Sequence, residues 1–85
     1  MLVKYFTSVC GKYFLMNISK MVGENIKQAR KLKGLTQREV SNHFHMTQQQ
    51  YSRFENGVFE LNYSQIIEIC KLLDISPNEI FGFGI

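Results

Sequence analysis

Between residues 36 and 79 the chain repeats one short pattern four times: a side-chain oxygen followed three positions later by Glu or Gln. The pairs are Thr36 with Glu39, Thr47 with Gln50, Asn62 with Gln65, and Ser76 with Glu79. The opening turn of a helix carries backbone N–H groups that have no intrahelical acceptor. In a capping box the first side chain accepts from one of them, and the second reaches back to the N–H of the cap residue. Each pair therefore marks a helix start. After Ser76 comes Pro77, which at the first helical position gives up an N–H that has no partner anyway. A chain with starts this closely spaced must be made of short helices and short turns.

The apolar spacing agrees. Ahead of the first box, Val22, Ile26, Ala29 and Leu32 fall on one stripe, and Gly34 follows as a stop. The second helix, from Thr36, offers Val40 and Phe44; the third, from Thr47, offers Tyr51 and Phe54 and ends at Asn56-Gly57. Ile66, Ile69, Cys70 and Leu73 line the fourth at i, i+3, i+4 and i+7, and the fifth is a short turn ending in Ile80 and Phe81. None is long enough to hold itself in water, so they must bury their stripes against one another. The expectation is an all-α bundle of five helices in one domain. At 85 residues, 45% of them apolar, there is enough for one core, but a domain of this size often gains stability by dimerising.

Residues 1–20 do not share the pattern. Leu2–Val9 and Lys12–Ile18 are rich in Val, Tyr, Phe and Ile, and Cys10-Gly11 between them suits a two-residue turn. The segment reads either as a β-hairpin or as an extended arm. An isolated hairpin is marginal in water, so a hairpin here must pack on the bundle or pair across a dimer. The division expected is an extension at 1–20, the bundle at 21–81 and a tail at 82–85. Lys4, Gly11, Lys12 and Asn17 break the apolar run, which falls short of the roughly 20 residues that span a bilayer. Neither a membrane anchor nor a signal peptide is expected. Met16 and Met21 are alternative starts.

Charge is unevenly spread. Residues 20–57 balance to +4 and residues 58–85 to −3, within a net charge of +3. That asymmetry suits a protein that offers one face to a polyanion, or else a solvated surface with uneven charge. Cys10 and Cys70 have no CxxC spacing, which favours a reducing, cytoplasmic setting. His43 and His45 are the only histidines, and with no cysteine near them in sequence a structural role is favoured over a metal. No phosphate loop, carboxylate pair or nucleophile constellation is present; the chain reads as a non-enzyme without cofactor or small-molecule ligand.

Thr36 to Gly57 holds two short helices joined through Phe44-His45-Met46-Thr47. That arrangement sets a second helix across the first, with its N-terminal residues placed to enter the major groove of DNA. The second helix opens on Thr47, Gln48, Gln49 and Gln50, and glutamine can bind adenine through N6 and N7. Lys27, Lys31, Lys33, Arg38 and Arg53 are the candidates for phosphates, which supply affinity and register. The competing reading is a protein-interaction module of the same fold, an antitoxin or adaptor. Against it, a partner groove wants apolar anchors where this chain has glutamines.

Gly34-Leu35-Thr36-Gln37, Thr47-Gln48-Gln49, Phe54-Glu55-Asn56-Gly57 and Leu72-Leu73-Asp74-Ile75-Ser76-Pro77-Asn78-Glu79-Ile80-Phe81 resemble the Cro/C1-type (XRE) helix-turn-helix family, whose best-known members are lambdoid phage repressors. The resemblance covers residues 21–81 and implies a lambda-repressor-like bundle. It implies that Gln37 contacts phosphate and braces the recognition helix. By the same resemblance Gln48 and Gln49, with Thr47 beside them, read bases. Ser52 and Arg53 lie one turn on, within reach of base or phosphate, and Asn56 contacts phosphate. Arg30 and Glu55 match an ion pair between the first and third helices. His45 and Asp74 stand where the family favours Gly, a position that needs positive φ at His45 and a helix stop at Asp74. Cys70 stands at a small core position. A homodimer on a palindromic operator is the implied assembly, with the C-terminal region (Phe81, Phe83, Ile85) as the first candidate interface and the N-terminal extension as the second.

Overall fold

All four boxes close in the computed structural model, which describes residues 18–82. At Thr36 the Glu39 N–H donates to Oγ1 (3.1 Å) and the Thr36 N–H donates to Glu39 Oε1 (2.8 Å). Thr47 and Gln50 do the same at 3.0 and 3.2 Å, and Asn62 and Gln65 at 2.8 and 2.9 Å. Ser76 and Glu79 close at 3.3 and 2.9 Å. The helices that follow are α2 (Gln37–His43), α3 (Gln48–Glu55), α4 (Tyr63–Leu73) and α5 (Pro77–Phe81), all preceded by α1 (Ile18–Lys33). No strand occurs among the described residues. The hairpin or arm expected at the N-terminus lies outside the described residues, except that Ile18–Lys20 are the first turn of α1.

Helix α1 packs against α3, α4 and α5, and α2 packs on α3. Their meeting faces form one core of Met21, Val22, Ile26, Val40, Tyr51, Phe54, Ile69, Cys70, Leu73 and Ile80, with Ala29, Phe44, Ile66 and Phe81 at its margin. Leu32 is the exception to the expected stripe: it is 89% exposed. Successive steps of three residues each fall short of a full turn, so by Leu32 the stripe has drifted about 80° from Val22. The inward place on that turn is taken by Arg30, which is 7% exposed.

Two L-residues end elements in the left-handed region, His45 (φ 57°) and Asp74 (φ 55°, the C-cap of α4). Both stand where a glycine avoids a Cβ clash. Short polar or imidazole side chains tolerate that region better than branched ones. The turn at His45 is fixed from both sides, since the His45 N–H donates to Asn42 O and the Met46 N–H to Ser41 O.

Candidate nucleic-acid interface

The geometry of α3 begins with how the helix is held. Its C-terminal end lies against the backbone of α1. A Cβ at Gly23 would sit 2.5 Å from Phe54 O and 2.6 Å from Glu55 O, so only glycine allows α1 to come this close. Gly57, in the turn after α3, has φ 82° and approaches Lys20 in the same way, a Cβ there falling 2.6 Å from the Lys20 Cα. Residues 20–23 of α1 therefore meet the end of α3 with main chain on main chain.

Beside that seam is a buried polar cluster. Arg30 Nε donates to Glu55 Oε2 at 2.6 Å, its second terminal nitrogen to Glu55 Oε1 at 3.1 Å, and its first to Leu35 O at 2.8 Å. Gln37 Nε2 donates to Glu55 Oε1 at 3.0 Å. One carboxylate thus joins α1, the α1–α2 turn, α2 and α3. Burial by itself raises the Glu55 pKa, but the hydrogen bonds from Arg30 and Gln37 outweigh it and hold the carboxyl below its ordinary range. Hydrogen bonding to Glu55 raises the Arg30 pKa against the opposing effect of burial. The Tyr51 hydroxyl lies buried nearby with no hydrogen bond of ordinary geometry; burial, then the neighbouring Glu55 carboxylate, pushes its pKa well up.

The other end of α3 is open. Thr47, Gln48, Gln49 and Gln50 are exposed, as is Arg53, while Ser52 is half-buried. Thr47 and Gln50 are engaged in the capping box, which leaves Gln48, Gln49, Ser52 and Arg53 as the side chains facing outward from the helix. Asn56 is the C-cap of α3 and is exposed. Lys31, Lys33 and Arg38 are exposed and Lys27 is half-buried. Of the residues singled out in the sequence, the structure brings Arg30, Glu55 and Gln37 into direct contact.

Sequence reading overlooked three features. Gly23 is one, and its signal was available, because a mid-helix glycine costs about 1 kcal/mol relative to alanine and usually has a packing reason. Asn25 is the second; its Nδ2 donates to Ile80 O at 2.8 Å and ties α1 to α5. A third is Ser41, buried in α2, whose hydroxyl donates to Arg38 O at 2.9 Å. His43 lies 3.7 Å from Glu68 and edge-on to Phe44. Cys70 is buried in the core, and burial pushes its thiol pKa up. Among the described residues no group of three His, Cys, Asp or Glu could hold a metal ion, and no helix is long and apolar enough to cross a membrane.

Comparison with known proteins gives the same architecture a family. The helix-turn-helix domain family matches residues 23–82. The uncharacterised HTH-type transcriptional regulator YqaE of Bacillus subtilis (strain 168) is 38% identical over 56 residues, 66% of this chain and 48% of that protein. The antitoxin PezA of Streptococcus pneumoniae serotype 4 is 36% identical over 62 residues, 73% of this chain and 39% of PezA. The chain thus spans less than half the length of these relatives. No solved structure gives a significant match. With the family match running from the Gly23 seam to the end of α5, and with a capped α2–α3 pair at its centre, the chain belongs to the helix-turn-helix domain family in its XRE, Cro-like form.

Proposed function

We propose that the chain is a sequence-specific double-stranded DNA-binding transcriptional regulator of the cytoplasm, a repressor that acts as a homodimer on a palindromic operator. The observation that carries this reading is the exposed Gln48–Gln49 pair at the opening of α3, on a helix whose far end is fixed by Arg30, Glu55 and Gly23. Glutamine offers the paired donor and acceptor that match the major-groove edge of adenine. Thr47, Ser52 and Arg53 flank that pair. Gln37, Lys27, Lys31, Lys33, Arg38 and Asn56 take the phosphates on either side. A single short helix covers few base pairs, so two copies on a two-fold axis would read half-sites about 34 Å apart.

Binding to random duplex DNA should fall steeply as salt rises, because each neutralised phosphate releases counterions. On a selected operator, Gln49→Ala should cost about 1–3 kcal/mol and relax preference at one base pair. The likeness to an antitoxin favours a second reading, a module that grips another protein and binds DNA weakly. The salt titration separates the two: no binding to duplex at low salt would rule out the first reading and leave the second.

A further inference from the structure

An apolar groove of about 180 Å³ opens between the start of α1, the α3–α4 loop and the start of α4, lined by Ile18, Val22, Phe54, Phe59, Tyr63 and Ile66 among others. Its rim holds several of the large apolar side chains that the described residues leave exposed. Tyr63 is 91% and Ile67 55% exposed, one helical turn apart on α4, and Ile18 and Phe59 stand beside them. A rim this apolar usually has an occupant. It lies apart from the outward side chains of α3, and the DNA-binding reading makes no use of it.

We propose that the occupant is the chain's own N-terminal segment, residues 2–16, folded back in cis over α4. Three observations converge on it. The segment joins the described chain at the groove itself, since Ile18 lines it and the Ser19 hydroxyl donates to Glu60 on its rim. Ten of the fifteen residues from Leu2 to Met16 are apolar, including Tyr5, Phe6, Tyr13 and Phe14. Its only charged side chains are Lys4 and Lys12, whereas the charged residue lining the groove is Glu60, so charge is complementary.

Reach is sufficient. Six extended residues span about 20 Å, and the 11 residues of α4 run about 16 Å. Attachment at Ile18 also gives the segment a local concentration on the order of millimolar. A second copy at micromolar concentration would have to displace it. This inference stands independently of what the α3 face binds.

Hydroxyl-radical footprinting of the full chain, read by mass spectrometry, tests it with an internal reference. Leu32 is 89% exposed, as open as Tyr63, and lies at the other end of α1. Each rate is compared with that of the same residue in the urea-unfolded chain. Tyr63 should react at about a fifth of its unfolded rate or less while Leu32 stays near its own, and the protection should persist through a roughly hundredfold dilution because an intramolecular contact has no concentration dependence. Phe14→Asp should return Tyr63 to the rate of an open residue while circular dichroism keeps its helical signal. Equal reactivity at Tyr63 and Leu32, both open or both shielded, overturns the proposal. So does protection that fades on dilution, which assigns the groove to a second copy. Exposure of Tyr63 by Phe83→Asp in place of Phe14→Asp would give the groove to the C-terminal tail and overturn it equally.

Discussion

The two ends of α3 are built on opposite principles. Its last turn is held by groups from two other helices, Arg30 and the Gly23 backbone contact from α1 and Gln37 from α2, and Glu55 is only 3% exposed. Its first turn is held by its own cap, Thr47 with Gln50, and by the buried Tyr51 that closes it, while Gln48 and Gln49 face outward. A helix gripped at one end presents the other as a rigid, replaceable surface. Rigidity and, on the proposed reading, recognition are thereby assigned to different residues of the same eight-residue helix.

That contrast can be broken from either end. The largest effect should come from Arg30→Ala, which leaves the Glu55 carboxylate buried with Gln37 as its remaining hydrogen-bond partner. Loss of one partner of a buried pair costs about 3–5 kcal/mol, measurable by urea unfolding. Acid should reproduce part of this. The Glu55 pKa is depressed from an ordinary value of 4.5, so its contribution is fully present above about that pH and is lost as pH falls through the lower, folded value. A Glu55→Gln chain should lack that part of the acid dependence. Next comes Gly23→Ala, where the added methyl must push α1 off the Phe54 and Glu55 carbonyls; overpacking of this kind costs about 1–3 kcal/mol, seen as a lower Tm. The smallest is Thr47→Ala, which removes only the cap oxygen at a cost of about 1 kcal/mol. If Thr47→Ala proved as damaging as Arg30→Ala, the two ends would be equally structural and the contrast would fail.

Features that depend on residues near each other in sequence were legible. A capping box is complete within four positions, so Thr36, Thr47, Asn62 and Ser76 could be identified as helix starts without knowing anything about the rest of the fold. His45 as a turn residue was legible from its place between two boxes, whereas Asp74 as a helix stop and the requirement for positive φ at His45 came through the family resemblance. The same resemblance paired Arg30 with Glu55; charge alone gives no reason to match two residues 25 positions apart. Leu32 was placed on the core stripe because hydrophobicity by itself does not say where a helix stops meeting its neighbours. Gly23 was missed because its reason lies on the carbonyls of Phe54 and Glu55, and the groove beside Tyr63 was missed because it exists only once α1, α3 and α4 have been brought together.

The Gly23 seam has a further consequence, for how such a chain can change its target. Contact between main chains is indifferent to side-chain identity on the opposite face of α3. Gln48 and Gln49 could therefore be exchanged for other polar residues, with α3 still docked at the same angle and depth. On the proposed reading, operator preference becomes a short, nearly independent field in the sequence, which can be rewritten without renegotiating the fold. The letters that must not vary for this to hold are the two glycines of the seam, Gly23 and Gly57, which lie at the opposite end of α3 from Gln48 and Gln49.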